Sequence, residues 1–224
     1  SANLPISDDI DPAQTDDDYP SKQFNAITYT GTGSSNAFTG VGFQPDLVWF
    51  KKRNSTSNSN NRMVDSSRGV TKSVTANSTA AEGTDTNGLT AFGSDGFTVG
   101  ADENYNQSSD TYVAWCWRAN GGTTASNSEG STTCTVQANT KGGFSIITYT
   151  GTGSAATLGH GLEKAPEFIM AKRRSSAAQS WKNYHIGIGA TKYLTLNATD
   201  AAATSSGMWN DTEPSTTLIS IGNE

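Results

Sequence analysis

Phe24-Asn25-Ala26-Ile27-Thr28-Tyr29-Thr30-Gly31-Thr32-Gly33-Ser34 recurs as Phe144-Ser145-Ile146-Ile147-Thr148-Tyr149-Thr150-Gly151-Thr152-Gly153-Ser154, with two of eleven positions changed. Self-similarity at a fixed offset, here about 120 residues, settles the architecture before any single element is assigned. The match continues outward. Pro45-Asp46-Leu47-Val48-Trp49-Phe50-Lys51-Lys52-Arg53 answers to Pro166-Glu167-Phe168-Ile169-Met170-Ala171-Lys172-Arg173-Arg174: a proline, an acid, four apolar residues and a basic cluster. Gly69-Val70-Thr71-Lys72 answers to Gly189-Ala190-Thr191-Lys192, and Asn77-Ser78-Thr79 to Asn197-Ala198-Thr199. The first copy goes on to the aromatic run Thr111 to Arg118. The second reaches Thr217-Leu218-Ile219-Ser220-Ile221-Gly222 and stops before an equivalent of Trp115 and Trp117. A sheet without its last strand exposes an edge and a core face. The chain is therefore expected to be part of a longer protein, or to be completed by another chain or segment.

Period two with glycine punctuation dominates the repeat, and no segment carries the apolar stripe of a substantial helix. Pro45 and Pro166 open a strand where no ladder donor is needed. Many short strands that must each bury one face make a two-layer antiparallel sandwich the economical solution. The expected fold is all-β: two tandem antiparallel β-sandwich repeats with long polar loops, the second truncated. Residues 1–22, with the clusters Asp8-Asp9 and Asp16-Asp17-Asp18, read as an extended acidic arm. Repeat one is expected over 23–119 and repeat two over 142–224. Between them, 120–141 reads as a flexible Gly/Ser/Thr-rich linker with a short strand, Thr132 to Val136.

Only 33% of the residues are apolar and mean hydropathy is −0.52, which tends towards disorder. The aromatics are nevertheless concentrated in β-branched runs such as Leu47 to Phe50 and Tyr112 to Trp117, as a thin sheet core requires. A formal charge of −6 argues against the clustered cationic surface that binds nucleic acid. No apolar run is long enough for a membrane-spanning helix. With two cysteines, Cys116 and Cys134, one bridge is compatible with the sequence but not implied by it.

Catalysis needs a nucleophile with an oriented base, or paired carboxylates in a cleft. The two histidines, His160 in a turn and His185 beside a strand, lack such partners in sequence, and no metal-ligand spacing occurs. Gly31-Thr32-Gly33 and Gly151-Thr152-Gly153 are followed by neither a helix nor Lys-Ser/Thr, so they are strand-ending turns and not phosphate loops. No cofactor, no metal and no enzymatic activity is expected. The residues best suited to a ligand or subunit contact are the loop aromatics Tyr105, Trp181, Tyr184 and Trp209, which could stack on sugar rings. With them go the strand-end cations Lys52, Arg53, Arg173 and Arg174, which could meet acidic glycans or a neighbour's carboxylates.

Tyr29 to Gly33, Gly42 to Arg53, Asp65 to Gly69, Asn77 to Glu82 and Thr111 to Trp117 together resemble a repeat of large virion and tail-fibre-like proteins of marine tailed phages. The resemblance is close over Tyr19 to Arg118 and looser over Phe144 to Glu224, where Asp-Ser-x-Arg-Gly gives way to Tyr184-His185-Ile186-Gly187-Ile188-Gly189. It implies a location on a virus particle and no enzymatic activity. The expected function is a viral structural protein, a tail, fibre or appendage component contacting the host surface. Its expected partners are other virion subunits, further copies of itself, and a host-surface glycan or protein; neither nucleic acid nor membrane insertion is expected. A capsid decoration protein and a carbohydrate-binding module of a secreted protein remain as alternatives.

Overall fold

The computed structural model describes residues 19–54, 59–176 and 178–224. Most of the expected acidic arm therefore lies outside the described residues; of its span only Tyr19 to Lys22 is seen, with Pro20–Lys22 forming one 3-10 turn.

The first copy builds β1 (Phe24–Thr30), β2 (Asn36–Phe38), β3 (Leu47–Lys52), β4 (Arg62–Asp65), β5 (Lys72–Thr75), β6 (Gly83–Thr84), β7 (Leu89–Gly93), β8 (Gly96–Val99) and β9 (Thr111–Trp117), with one helical turn, α1 (Glu103–Asn106), before β9. These form a sandwich of a six-stranded sheet, ordered β1-β9-β3-β4-β5-β6, on a three-stranded one, β2-β8-β7. The pairing is antiparallel throughout, and β9 is threaded between β1 and β3, with Trp117 opposite both Phe24 and Leu47. Strand alternation decides what lies between the layers. Val48 and Phe50 of β3 and Ala114 and Cys116 of β9 are fully buried against Phe97 and Val99 of β8 and against Tyr105 of α1.

The chain then forms β10 (Ala125–Asn127) and β11 (Cys134–Asn139). The second copy follows as β12 (Phe144–Thr148), β13 (Ala156–Gly159), β14 (Phe168–Ala171), β15 (Lys182–His185), β16 (Lys192–Thr195), β17 (Ala203–Thr204), a helical turn α2 (Ser206–Trp209) and β18 (Leu218–Ile221). The duplication holds at the level of single hydrogen bonds. Gly69 N donates to Asp65 O and Gly189 N to His185 O; Asn77 caps the Asn61 amide and Asn197 the Trp181 amide, both at 2.8 Å. β13 pairs with β18 as β2 pairs with β8. Among the described residues no strand answers to β7, while β11, which precedes the second copy in sequence, pairs β12 in the register in which β9 pairs β1; the second copy forms sheets β10-β11-β12, β14-β15-β16-β17 and β13-β18.

Two expectations need correction. The segment 120–141 is not a flexible linker. β10 and β11 form a hairpin that continues the β12 ladder, and the glycine-rich approach to it is pinned by buried polar groups described below. Nor are the copies independent lobes. In a free-standing sandwich the outer faces of the sheets are polar. Here the outer face of the six-stranded sheet carries Leu47, Trp49, Met63, Val74 and Trp117, and it packs on Phe144, Ile146, Met170, Trp181 and Leu196 of the second copy. The cores of the two copies lie on either side of this third apolar layer. Trp49 and Trp117 are thus packing residues, as their apolar runs suggest, but of the junction and not of a sandwich interior.

Candidate functional site

The densest concentration of specific side-chain chemistry lies along the junction, and its apolar centre is Trp181. This ring is 5% exposed, and its Nε1 donates to the Thr75 carbonyl of β5 at 2.8 Å, from one copy to the other. Beside it Glu82 forms an ion-pair cluster spanning both copies. Arg68, held by the Asp65 carboxylate, donates to Glu82 at 2.8 Å, and Arg174 of the second copy donates to the same carboxylate at 2.9 Å. The backbone follows, Glu82 N donating to Arg174 O at 3.0 Å. Burial pushes the Glu82 carboxyl up, but the hydrogen bonds and charges of the two arginines outweigh it and hold the group below the ordinary 4.5. A depressed pKa in the folded state contributes stability above the ordinary value, and this is lost as pH falls through the folded one. Glu82→Gln is therefore expected to cost about 1 kcal/mol at neutral pH, given partial solvent screening, and less at an acidic pH below the folded value. Urea unfolding of both proteins at the two pH values checks this; an equal cost at both would show that charge is not the cause.

A second polar cluster closes the other end. The Asp46 carboxylate, fully buried, accepts from the backbone amides of Ala119 (2.7 Å), Gly121 (2.9 Å) and Gly122 (2.7 Å) and from Ser66 Oγ (2.7 Å). Gly121 and Gly122 have φ of +60° and +79°, which favours glycine and lets successive amides converge on one carboxylate. Gln137 of β11, 1% exposed, locks the same turn from the far side. Its Oε1 accepts from Asn120 N and Gly122 N, while its Nε2 donates to Ser66 and Ser67. None of these polar residues was singled out in the sequence, although an acid after the proline recurs in both copies.

The four aromatic candidates are all interior. Tyr105 is fully buried and donates to Asp85 at 2.7 Å; burial first, then that carboxylate, raises its pKa. Tyr184, 2% exposed, donates to Glu213, with its pKa raised for the same two reasons. Trp209 is 3% exposed and packs edge-on to Tyr184. With Trp181 in the junction, none offers a ring face to a sugar, which corrects their reading as ligand contacts. Among the cations, Lys52 is mostly buried and paired with Asp110, and Arg174 is bound to Glu82, whereas Arg53 and Arg173 are exposed at the strand ends.

The histidine and thiol groups suited to chemistry are engaged in packing and local hydrogen bonds. His160 Nδ1 accepts from Leu162 N, so Nε2 carries the proton towards Ser215 O, and burial lowers the pKa of the ring. Both cysteines are free and buried. Desolvation pushes the Cys116 thiol up to about 12 from 9.0, which lowers its thiolate fraction about a thousandfold. Cys116 is accordingly expected to escape a polar alkylating reagent in the native protein and to react once it is unfolded, as intact-mass measurement would read; native labelling at a free-thiol rate would contradict its burial. Among the described residues no group of three or more His, Cys, Asp or Glu is placed to hold a metal, and no helix is long and apolar enough to cross a membrane. Two open depressions, about 240 and 350 Å³, are lined mainly by hydroxyl, amide and backbone groups; neither joins a nucleophile to a base.

Compared with known families, residues 19–224 match a family described as a domain of unknown function, DUF7483. The chain belongs to the DUF7483 family. The matched span takes in both copies and the hairpin between them, so the DUF7483 unit covers the whole stacked body. No curated protein and no solved structure matches the chain.

Proposed function

We propose that this DUF7483 chain is a non-enzymatic structural component of a virus particle, part of a tail fibre or comparable appendage that contacts the host surface. The observation that carries the proposal is the junction. A part that presents a surface at a distance must hold its modules in fixed orientation, and modules on a flexible tether articulate. Here an apolar layer centred on Trp181, with the Asp46 and Glu82 clusters at its sides, joins two sandwiches into one body. The resemblance of Tyr29 to Trp117 to a phage repeat supports a location on the particle, and with it we propose assembly with other virion subunits, further copies included. Host contact falls to surface groups such as Arg53 and Arg173, because the four candidate aromatics are buried.

Cryo-electron microscopy of intact particles tests this. Density fitting the two stacked sandwiches is expected on the tail or a projecting fibre. Density repeating over the capsid shell would replace host contact by decoration, and its absence from particles would end the virion reading altogether.

A further inference from the structure

Because β11 stands against β12 as β9 stands against β1, the sheet faces of the two copies can be compared position by position. Residues directly opposite one another across a sheet point to the same face. In the first copy one such row reads Thr28, Val113, Lys51. The row in the same register of the second reads Thr148, Thr135, Ser126, its third place supplied by β10. An apolar residue and a cation have given way to hydroxyls. The neighbours Cys134 and Val136 point into the second core, so this row faces away from it. Among the described residues none of the three hydroxyls hydrogen-bonds to the rest of the chain. All three line the open cleft of about 240 Å³. Tyr149, 40% exposed, lines it beside Thr148, and Arg174, just beyond β14, borders it. Arg174 is fixed and still available. Its Nη1 donates to both oxygens of Glu82, at 2.9 and 3.2 Å, and Glu82 is held in turn by Arg68. Its side chain is 41% exposed, and among the described residues its Nε and Nη2 donate to no group.

We infer that this cleft binds one residue of an acidic saccharide, of the uronic acid type. Sugar hydroxyls donate and accept, and serine and threonine hydroxyls rotate to meet either role. The planar fork of a guanidinium matches a carboxylate, and one already oriented by Glu82 loses less freedom on binding. Tyr149 supplies the amphipathic ring that covers the C–H face of a sugar. The cleft is smaller than the pockets that enclose drug-sized ligands, which suits a single ring. The chain's net charge of −6 is screened beyond about 8 Å at physiological ionic strength, whereas Arg174 acts at contact. The inference deepens the host-contact reading and rests on it for the source of the sugar, a cell-surface polysaccharide. Binding is measured on the intact chain in solution, so it can fail while the particle location stands, and the reverse.

The test titrates the isotope-labelled intact chain with a glucuronate disaccharide and, separately, with the same disaccharide after reduction of its carboxyl to an alcohol. Saturable amide shifts are expected at 126, 135, 148, 149 and 174, with a Kd on the order of 1 mM for the acidic form. The neutral form should bind about fivefold more weakly, having lost a charge-assisted hydrogen bond. Thr135→Val restores the residue of the first copy, leaves the fold intact, and should weaken binding about fivefold through one lost hydrogen bond. Arg174→Met should erase the preference for the acidic form; because it also unpairs Glu82, unchanged amide shifts in β8 and β9 serve as its folding control. No saturable shift at concentrations on the order of 50 mM overturns the inference. So do equal binding of the two disaccharides, unaltered binding by Thr135→Val, and the same shifts produced equally well by acetate, which would leave a simple anion contact.

Discussion

Trp181→Ala is expected to destabilise the chain by about 3–5 kcal/mol and to separate one unfolding transition into two. The first figure reflects removal of a large, nearly fully buried ring from among Leu47, Met63, Val74 and Ala76. No flexible segment is placed to fill the space, because the facing residues sit on paired strands of the six-stranded sheet. The truncation also strands the Thr75 carbonyl, which loses the indole donor at 2.8 Å. At about 2–4 °C per kcal/mol for a chain of this size, the melting temperature should fall by roughly 10 °C. The second figure follows from position. Trp181 belongs to neither sandwich core, so its loss weakens the bond between copies and leaves each copy's own core intact. Trp181→Phe separates the contributions: it keeps most of the apolar contact and is expected to lose about 1–2 kcal/mol, chiefly the hydrogen bond. Calorimetry and urea unfolding followed by fluorescence measure both. A loss under about 1 kcal/mol with one unchanged transition would mean that the junction does not couple the copies.

The duplication, the strands and the glycine turns were legible because each is written locally: a period-two run, a proline opening, a glycine end. The stacking of the copies was written too, in a feature that was read only as core. A strand with one buried face alternates, but Leu47-Val48-Trp49-Phe50 and Tyr112-Val113-Ala114-Trp115-Cys116-Trp117 are continuous apolar runs, the mark of strands covered on both faces. Trp181 was misread because Ser180, Lys182 and Asn183 around it look like a loop. Its burial depends on a surface more than a hundred residues earlier. Lys52 looked like a free strand-end cation for the same reason, since its partner Asp110 enters only with the turn before β9. Side chains whose role is fixed by distant chain cannot be ranked from their neighbours. The supposed linker failed differently: its polarity suggested freedom, but glycine amides are also the groups best able to wrap a buried carboxylate.

That carboxylate carries the second large effect. Asp46→Asn is expected to destabilise by about 3 kcal/mol, although it changes the shape of the side chain hardly at all. Each carboxylate oxygen accepts two hydrogen bonds: Oδ1 from Ser66 Oγ and Gly122 N, Oδ2 from Ala119 N and Gly121 N. An amide must point its NH₂ at one of these pairs. If it replaces Oδ2, two backbone N–H groups face a donor and no rotation relieves them; if it replaces Oδ1, Ser66 can turn but Gly122 cannot. Gly122 retains Gln137 Oε1 as a second acceptor, so that orientation is the less costly one and sets the lower bound. Asp46→Ala removes the acceptor altogether, leaves the Ala119 and Gly121 amides orphaned, and is expected to cost more than the asparagine variant. Because the damage falls on the turn leading into β10, hydrogen exchange should locate it. Amides of 119–122 should exchange faster in both variants, followed by β11 through Gln137, before any change in β7 or β8. Uniform acceleration over the first copy would instead place the role of Asp46 in the sandwich itself, and unchanged exchange at 119–122 would sink the account of the turn.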